Sequence, residues 1–354
     1  MQVASSKTSV GRFFEDFQVG QEFLHPTPRT VTQGDVALYI ALTGSRYAQY
    51  CGDGFARQNG LPRAPVHDLL AFHMVFGKSV PDISLNAVAN LGYAEGKFAA
   101  FVYPGDTLSA RSRVIGLKEN STGDTGTVWV RTRGFKGDMV VVDFVRWVMV
   151  RKRDPESPAP TTVTPSLQPA LAIADLPVPP GLRPRRHDMG QSGSPYWWEH
   201  YSVGEKIDHL DGMTVEESEH RLATRLYQNT ARVHFDSFAE KAGRFGRTIV
   251  YGGHVLSVAN ALAFNGLGNM LHMAAINGGT HVNPCFAGDT IYAWSEVLDA
   301  QPVPGHGDLG ALRLRLVAVK NQTAADFPLR GGEGQYLPGV LLDFDYWALF
   351  PKKR

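Results

Sequence analysis

Hydrophobic and polar positions repeat the same programme twice along the chain. Each pass opens around a Val-Gly dipeptide, Val19-Gly20 and then Val203-Gly204, which predicts a turn between a pair of strands. A short amphipathic helix follows. It spans Gly34 to Thr43 with Val36, Ile40 and Leu42 as apolar positions, then Val215 to Tyr227 with Leu222, Ala223, Leu226 and Tyr227 on one face. After an irregular loop comes a run that is apolar nearly all round, Leu69 to Phe76 and later Val255 to Leu267. A helix without a polar face is a buried one. Stretches rich in β-branched and aromatic residues complete each pass: Thr107 to Val114, Thr127 to Arg133 and Val140 to Val150, then Thr290 to Val297, Leu312 to Val319 and Val340 to Leu349. One buried helix followed by antiparallel strands, twice over, is an α+β pattern.

Sequence landmarks repeat as well as the pattern. Tyr103-Pro104-Gly105-Asp106-Thr107 recurs as Phe286-Ala287-Gly288-Asp289-Thr290, and Asp143-Phe144-Val145-Arg146-Trp147 as Asp343-Phe344-Asp345-Tyr346-Trp347. The wider spacing of the last pair marks an insertion in the second copy, where Gly331-Gly332-Glu333-Gly334 suits an exposed loop. Between the copies lies a segment with ten prolines from Pro155 to Pro195, which excludes a helix or a central strand. Its apolar stretch, Ala170 to Val178, is expected to lie against a domain. The organisation predicted is a domain over 1–153, a linker over 154–195 and a domain over 196–354.

Composition narrows the functional classes. A formal charge of +1 offers no broad basic field for nucleic acid, and no apolar run approaches the roughly 18 residues of a membrane span. Met1 to Lys7 lack the apolar core of a signal peptide. Cys51 and Cys285 are too few for a disulfide scaffold and lack metal-ligand spacing. A cytoplasmic protein without a metal centre is the expectation.

Projecting one copy on the other separates them chemically. Asn229 and His234 fall on Ser45 and Tyr50, so an imidazole stands in one copy where a phenol stands in the other. Five residues apart, Asn229 and His234 do not share a helix face, but a helix ending near Asn229 followed by a turning loop can aim both into one pocket. A neutral His accepts a proton from water, and its protonated form returns one. The plain alternative is a partly buried His bonded to a backbone carbonyl. Gly252-Gly253 precede the second buried helix, where bare N–H groups and the helix dipole favour an anion such as a thioester enolate. The plain alternative there is a tight turn. The first copy has His67-Asp68 instead of the glycines. Arg232, inside the loop, and Arg46, in the first copy, are candidates for gripping a substrate carboxylate, whereas Arg221 is explained by Glu217 four residues earlier.

This loop pattern resembles the MaoC-like hydratases of the hot-dog fold, in which an antiparallel sheet wraps a long central helix. That family usually carries an Asp and a His five residues apart, then a glycine-bearing turn into the helix; here the matches are Asn229, His234 and Gly253. Four longer blocks, Gly11 to Phe17, Phe76 to Asn86, Leu226 to Phe235 and Phe286 to Glu296, are similar to the mesaconyl-CoA hydratase branch of that family. The resemblance implies two fused hot-dog domains, the first with a degenerate site. It implies reversible hydration of mesaconyl-CoA, with a C1 thioester favoured, to β-methylmalyl-CoA. Other enoyl-CoA hydratases and a non-catalytic acyl-CoA-binding protein are the alternatives. On this reading Asn229, His234 and Gly253 are catalytic, and Arg232, Tyr227, Gly252, His254 and Arg46 bind substrate. CoA belongs to the substrate, no cofactor is needed, and further association of the chains into homo-oligomers fits the fold. An amide in place of the family's Asp cannot take a proton from water, so Glu216, Glu217, Glu219 and Asp236 become candidates for the missing carboxylate.

Overall fold

The computed structural model describes residues 7–353; Met1 to Ser6, part of the N-terminal stretch weighed for a signal peptide, and Arg354 lie outside the described residues. Ten strands form one antiparallel sheet: β1 (Glu22–Thr30), β2 (Ala87–Phe98), β3 (Thr107–Glu119), β4 (Thr125–Lys136), β5 (Met139–Arg151), β6 (Lys206–Thr214), β7 (His272–His281), β8 (Thr290–Pro302), β9 (Leu309–Lys320) and β10 (Val340–Pro351). Their order is β1-β3-β4-β5-β2-β7-β10-β9-β8-β6. The five strands of one half thus repeat in the other, in mirrored order about the β2–β7 seam. Tyr93 pairs with Gly279 and Gly96 with Ile276 across it.

Each half of the sheet curls around its own helix, Asp68–Ile83 in the first half and Gly252–Leu262 in the second. Both helices are buried almost throughout, and one continuous core joins Phe72 and Phe144 of the first half to Leu256 and Phe344 of the second. The alternation of β3, with Leu108, Ala110 and Val114 buried between more exposed neighbours, is the period expected of a strand with one face on a core. This is the α+β architecture anticipated from the pattern, arranged as the two fused hot-dog domains that the resemblance implied.

Several elements differ from the reading of the pattern. The first central helix runs beyond Phe76 to Ile83, because Lys78 and Ser79 are buried with partners: Lys78 Nζ donates to Gln228 Oε1 (3.2 Å) and Ser79 Oγ to the Phe76 carbonyl (2.6 Å). The second begins at Gly252 and stops at Leu262, since Asn265 and Gly266 leave helical geometry. The Val-Gly turns follow 3-10 turns, Phe14–Asp16 and Trp198–His200, and lead into one strand each rather than joining two.

The strands absent from the pattern are β2 and β7, the two that form the seam. They carry Gly92, Gly96, Gly278 and Gly279, residues depleted in strands. The glycines answer a packing demand. A Cβ on Gly96 would lie 2.7 Å from the Ile276 Cβ, and one on Gly279 would lie 2.8 Å from the Phe344 ring. The Pro-rich segment packs along both halves: Val163 bridges Leu117, and the Leu171 N–H donates to Asn277 Oδ1 (2.9 Å) while the Leu171 carbonyl accepts from Trp347 Nε1 (3.1 Å).

Candidate active site

The loop that follows the Glu217–Leu226 helix is held by the opposite half of the molecule. Arg29 Nη1 donates to the Leu226 carbonyl (2.8 Å), satisfying an acceptor that a helix end leaves open. Gly77, on the first central helix, lies so close to the Tyr227 carbonyl that no side chain fits between them. Gln228 takes a left-handed backbone (φ 54°), which costs a non-glycine residue about 1–2 kcal/mol and turns the chain sharply. The next residue, Asn229, is thereby aimed inward, its N–H bonded to the Thr224 carbonyl at 3.1 Å.

Asn229 Oδ1 accepts from the Ala231 N–H (2.9 Å). That bond orients the amide and leaves its NH₂ edge as the group available to a ligand. Asn229 therefore presents a donor, the opposite of a general base. His234 ends a 3-10 turn, Arg232–His234, and its Nδ1 lies 3.0 Å from the Ile249 carbonyl. A carbonyl only accepts, so Nδ1 carries the proton and Nε2 keeps a bare lone pair. Burial pushes the His234 pKa down to about 4, with the nearby His220 adding to the effect. At neutral pH the imidazole is uncharged.

The second central helix starts beside it. The His254 and Val255 N–H groups turn back to the Tyr251 carbonyl, whereas the N–H groups of Gly252 and Gly253 have no acceptor among the described residues. Glycine is required at 252 because a Cβ would sit 2.5 Å from the His281 ring. His281 in turn has Nε2 2.9 Å from the Tyr93 hydroxyl, across the β2–β7 seam, and burial holds its pKa at about 4.

These groups line a cavity of about 200 Å³. The second half contributes Asn229, His234, Tyr251, Gly252 and His281; the first contributes Phe76, Val80, Asn90, Tyr93 and Arg146. Among the described residues no Asp or Glu lines it. Glu217 pairs with Arg221 instead, and Asp236 Oδ1 accepts from the Ala239 N–H (3.0 Å). Glu216 and Glu219 are also outside the lining, so none of the four candidate carboxylates reaches the site.

Of the residues singled out from the sequence, Asn229, His234 and Gly252 meet at the cavity, with Gly253 one residue further into the helix. Tyr227 and His254 are buried behind its wall, where the Tyr227 ring lies 4.7 Å from that of His73. The two arginines need correction. Arg232 is exposed and outside the lining, because the 3-10 turn that buries His234 turns it outward. Arg46 stacks on Phe264 (4.7 Å) in a separate surface cleft. Tyr93, Arg146 and His281 were not anticipated. Arg146 did leave a signal: it shares the inward parity of β5 with Phe144 and Val148, a charge on a buried face.

Among the described residues no group of three or more His, Cys, Asp or Glu side chains could hold a metal ion, and no helix is long and apolar enough to cross a membrane. A family model described as mesaconyl-CoA hydratase matches residues 3–177. The chain is 58% identical over 350 residues to the β-methylmalyl-CoA dehydratase of Chloroflexus aurantiacus, covering 99% of each. It superposes with a TM-score of 0.97 on the crystal structure of a MaoC domain protein dehydratase from the same organism, 58% identical, over 99% of this chain and 100% of that one. A Mycobacterium tuberculosis protein described as a double hot-dog fold, 27% identical, aligns with a TM-score of 0.73 over 96% of this chain and 98% of its own. With the fold, the loop and near full-length identity in agreement, the chain belongs to the mesaconyl-CoA hydratase family of MaoC-like double hot-dog proteins and is a hydro-lyase.

Proposed function

We propose that the chain reversibly adds water to mesaconyl-CoA, as its C1 thioester, to give β-methylmalyl-CoA. The observation that carries the reading is a neutral His234, with Nε2 unprotonated, in one cavity with the open N-terminus of the Gly252–Leu262 helix. The relative named β-methylmalyl-CoA dehydratase and the matching family model support the acyl group. A cavity of about 200 Å³ suits a short, branched acyl chain rather than a long one.

In the hydration direction water attacks the β-carbon of the enoyl thioester. Asn229 Nδ2 donates to the water oxygen and fixes it, while His234 Nε2 takes the proton. The electron pair of the C=C bond moves onto the thioester oxygen, which the Gly252 and Gly253 N–H groups and the helix dipole stabilise. A cationic imidazole is disfavoured in that burial, so His234 passes its proton on to the α-carbon as the C=O re-forms. One H and one OH are added, and the histidine ends as it began. Because one group takes and returns the proton, both add to the same face. CoA is carried by the substrate, and the thioester is the electron sink, so no further cofactor enters. Two free thiols, Cys51 and Cys285, support a cytoplasmic setting.

The test is the ultraviolet absorbance of the conjugated enoyl thioester. It should fall when the purified protein meets mesaconyl-CoA. Turnover of crotonyl-CoA without turnover of mesaconyl-CoA would sink the substrate assignment, and release of free CoA thiol would replace hydration by thioester hydrolysis.

A further inference from the structure

Among the described residues that line the cavity, Arg146 alone carries a permanent charge, and no acidic side chain there balances it. Arg146 is fully buried on β5 and lines the same cavity as Asn229 and His234. Its Nη2 donates to Ser79 Oγ (2.9 Å) and Ser84 Oγ (3.2 Å), and its guanidinium lies 4.2 Å from the centre of the Phe76 ring. The donors on Nε and Nη1 have no partner. Beside it the Tyr251 hydroxyl and both polar atoms of the Asn90 side chain are likewise buried without partners, and all three residues line the same cavity.

A guanidinium out of water without an anion is costly, and two hydroxyls and a ring do not neutralise it. No carboxylate of the described residues lines the space, and His234 and His281 are uncharged at neutral pH. The missing partner is therefore an anionic group of the ligand, of a size that enters beside the reacting carbons. In a β-hydroxy dicarboxylic thioester the free carboxylate is attached to the carbon that receives water. It must then lie in the small cavity that Asn229, His234 and Arg146 line together. The repeat sharpens the point: the second-half equivalent of Arg146 is Tyr346, which is buried and uncharged.

We infer that Arg146 binds the free carboxylate of the substrate and restricts the site to dicarboxylic acyl thioesters. This rests on the hydratase reading above. Planar guanidinium recognition of a carboxylate, with its donors preset by Ser79, Ser84 and Phe76, replaces the roles first assigned to Arg232 and Arg46.

The experiment compares mesaconyl-CoA with (E)-2-methylbut-2-enoyl-CoA, in which a methyl stands in place of the free carboxylate. In the wild type, kcat/KM should favour mesaconyl-CoA by roughly 10²-fold or more, as expected where a site's buried polar group needs its partner. Arg146→Met should abolish that preference by losing mesaconyl-CoA activity while keeping or gaining activity on the monocarboxylic substrate. Arg146→Lys should retain part of the preference. An equal loss on both substrates, or an unchanged ratio, would overturn the inference. Should Arg146→Met not fold, inhibition of the wild type by methylsuccinyl-CoA and 2-methylbutyryl-CoA decides: clearly tighter binding of the former supports the inference, and equal binding overturns it. A wild type that binds methylsuccinyl-CoA preferentially yet fails to hydrate mesaconyl-CoA would refute the proposed reaction while leaving the carboxylate site standing.

Discussion

The two central helices begin in the same place in their halves and meet opposite fates. At the start of the first, Asp68 turns its own carboxylate back into the structure: Oδ2 accepts from the Tyr50 hydroxyl (2.5 Å) and the Met273 N–H (2.8 Å), and His272 Nδ1 lies 2.9 Å away. At the start of the second, the equivalent position is Gly252, and the residue matching Tyr50 is His234, which faces a cavity. One half supplies its own anion and becomes solid. The other leaves N–H groups unmet beside a cavity, where the proposed reaction would form an anion. What separates the two halves here is a side chain's worth of empty volume at a helix end, with a neutral histidine beside it.

The largest effect expected comes from exchanging the residues that differ. His234→Ala should reduce turnover of mesaconyl-CoA by roughly 10²–10⁴ without loss of fold, as removal of a general acid/base does. Tyr50→Phe, at the matching site, should leave turnover unchanged and instead cost about 1–3 kcal/mol of stability in urea unfolding, by leaving the buried Asp68 oxygen short of a donor. Comparable activity losses in both variants would end the distinction between the halves.

Gly252→Asp transplants the solid solution into the open site. A carboxylate at that helix end competes with the enolate, and its Cβ meets the His281 ring at 2.5 Å. Turnover should fall about 10²–10³, the range for losing such donors. Retained activity would show that the helix end does not hold the thioester oxygen.

Gly77→Ala tests how far the first half positions the second. The new methyl collides with the Tyr227 carbonyl and must push the loop carrying Asn229 away. A loss of about 10² in turnover, with 1–3 kcal/mol of stability, is expected from overpacking and misplacement together. A loss of stability with normal turnover would mean that the loop finds its place without that contact.

The smallest effect is on pH. His234 and His281 titrate near 4 in the folded chain because burial disfavours their charged forms, against an ordinary value of 6.5. On the proposed mechanism the proton-free His234 is the active form, so the rate should be flat at neutral pH and fall only as pH approaches 4. Stability follows the same sign. Above pH 6.5 neither state binds the extra proton; below it the unfolded chain does and the folded chain does not. Each such histidine then costs about 1.4 kcal/mol per pH unit until the folded value is reached. A rate that halves near pH 6.5 would place the working proton on a different group.

Much of this was legible before any coordinates. The duplication, the buried helices and six of the strands follow from hydrophobic period. Asn229, His234 and Gly252 stood out because the two copies disagree there. What escaped depends on contacts far apart in the chain. β2 and β7 had no strand assigned to them, since their glycines signal weak strands, and only the approach of Ile276 and Phe344 explains those glycines. Tyr93 and His281 enter the site solely because those two strands pair. Arg146 lay inside a repeated landmark, at a position where the copies differ, but its meaning depends on the absence of any acid among the described residues that line its cavity. Arg232 misled because closeness in sequence to His234 was taken for closeness in the pocket, and the 3-10 turn sends it outward.

The β2–β7 seam also governs how such a chain can be made. Until it closes, each half exposes a glycine-rich edge strand whose N–H and C=O groups seek another strand. Tyr93 pairs with Gly279 from the other half of the chain, a non-local contact whose loop-closure cost must be met before the seam stabilises anything. During that interval a nascent first half can pair with the wrong partner, including a second copy of itself. Covalent fusion raises the concentration of the right edge next to the waiting one, and the proline-rich segment that packs along both halves sets the distance over which it must search.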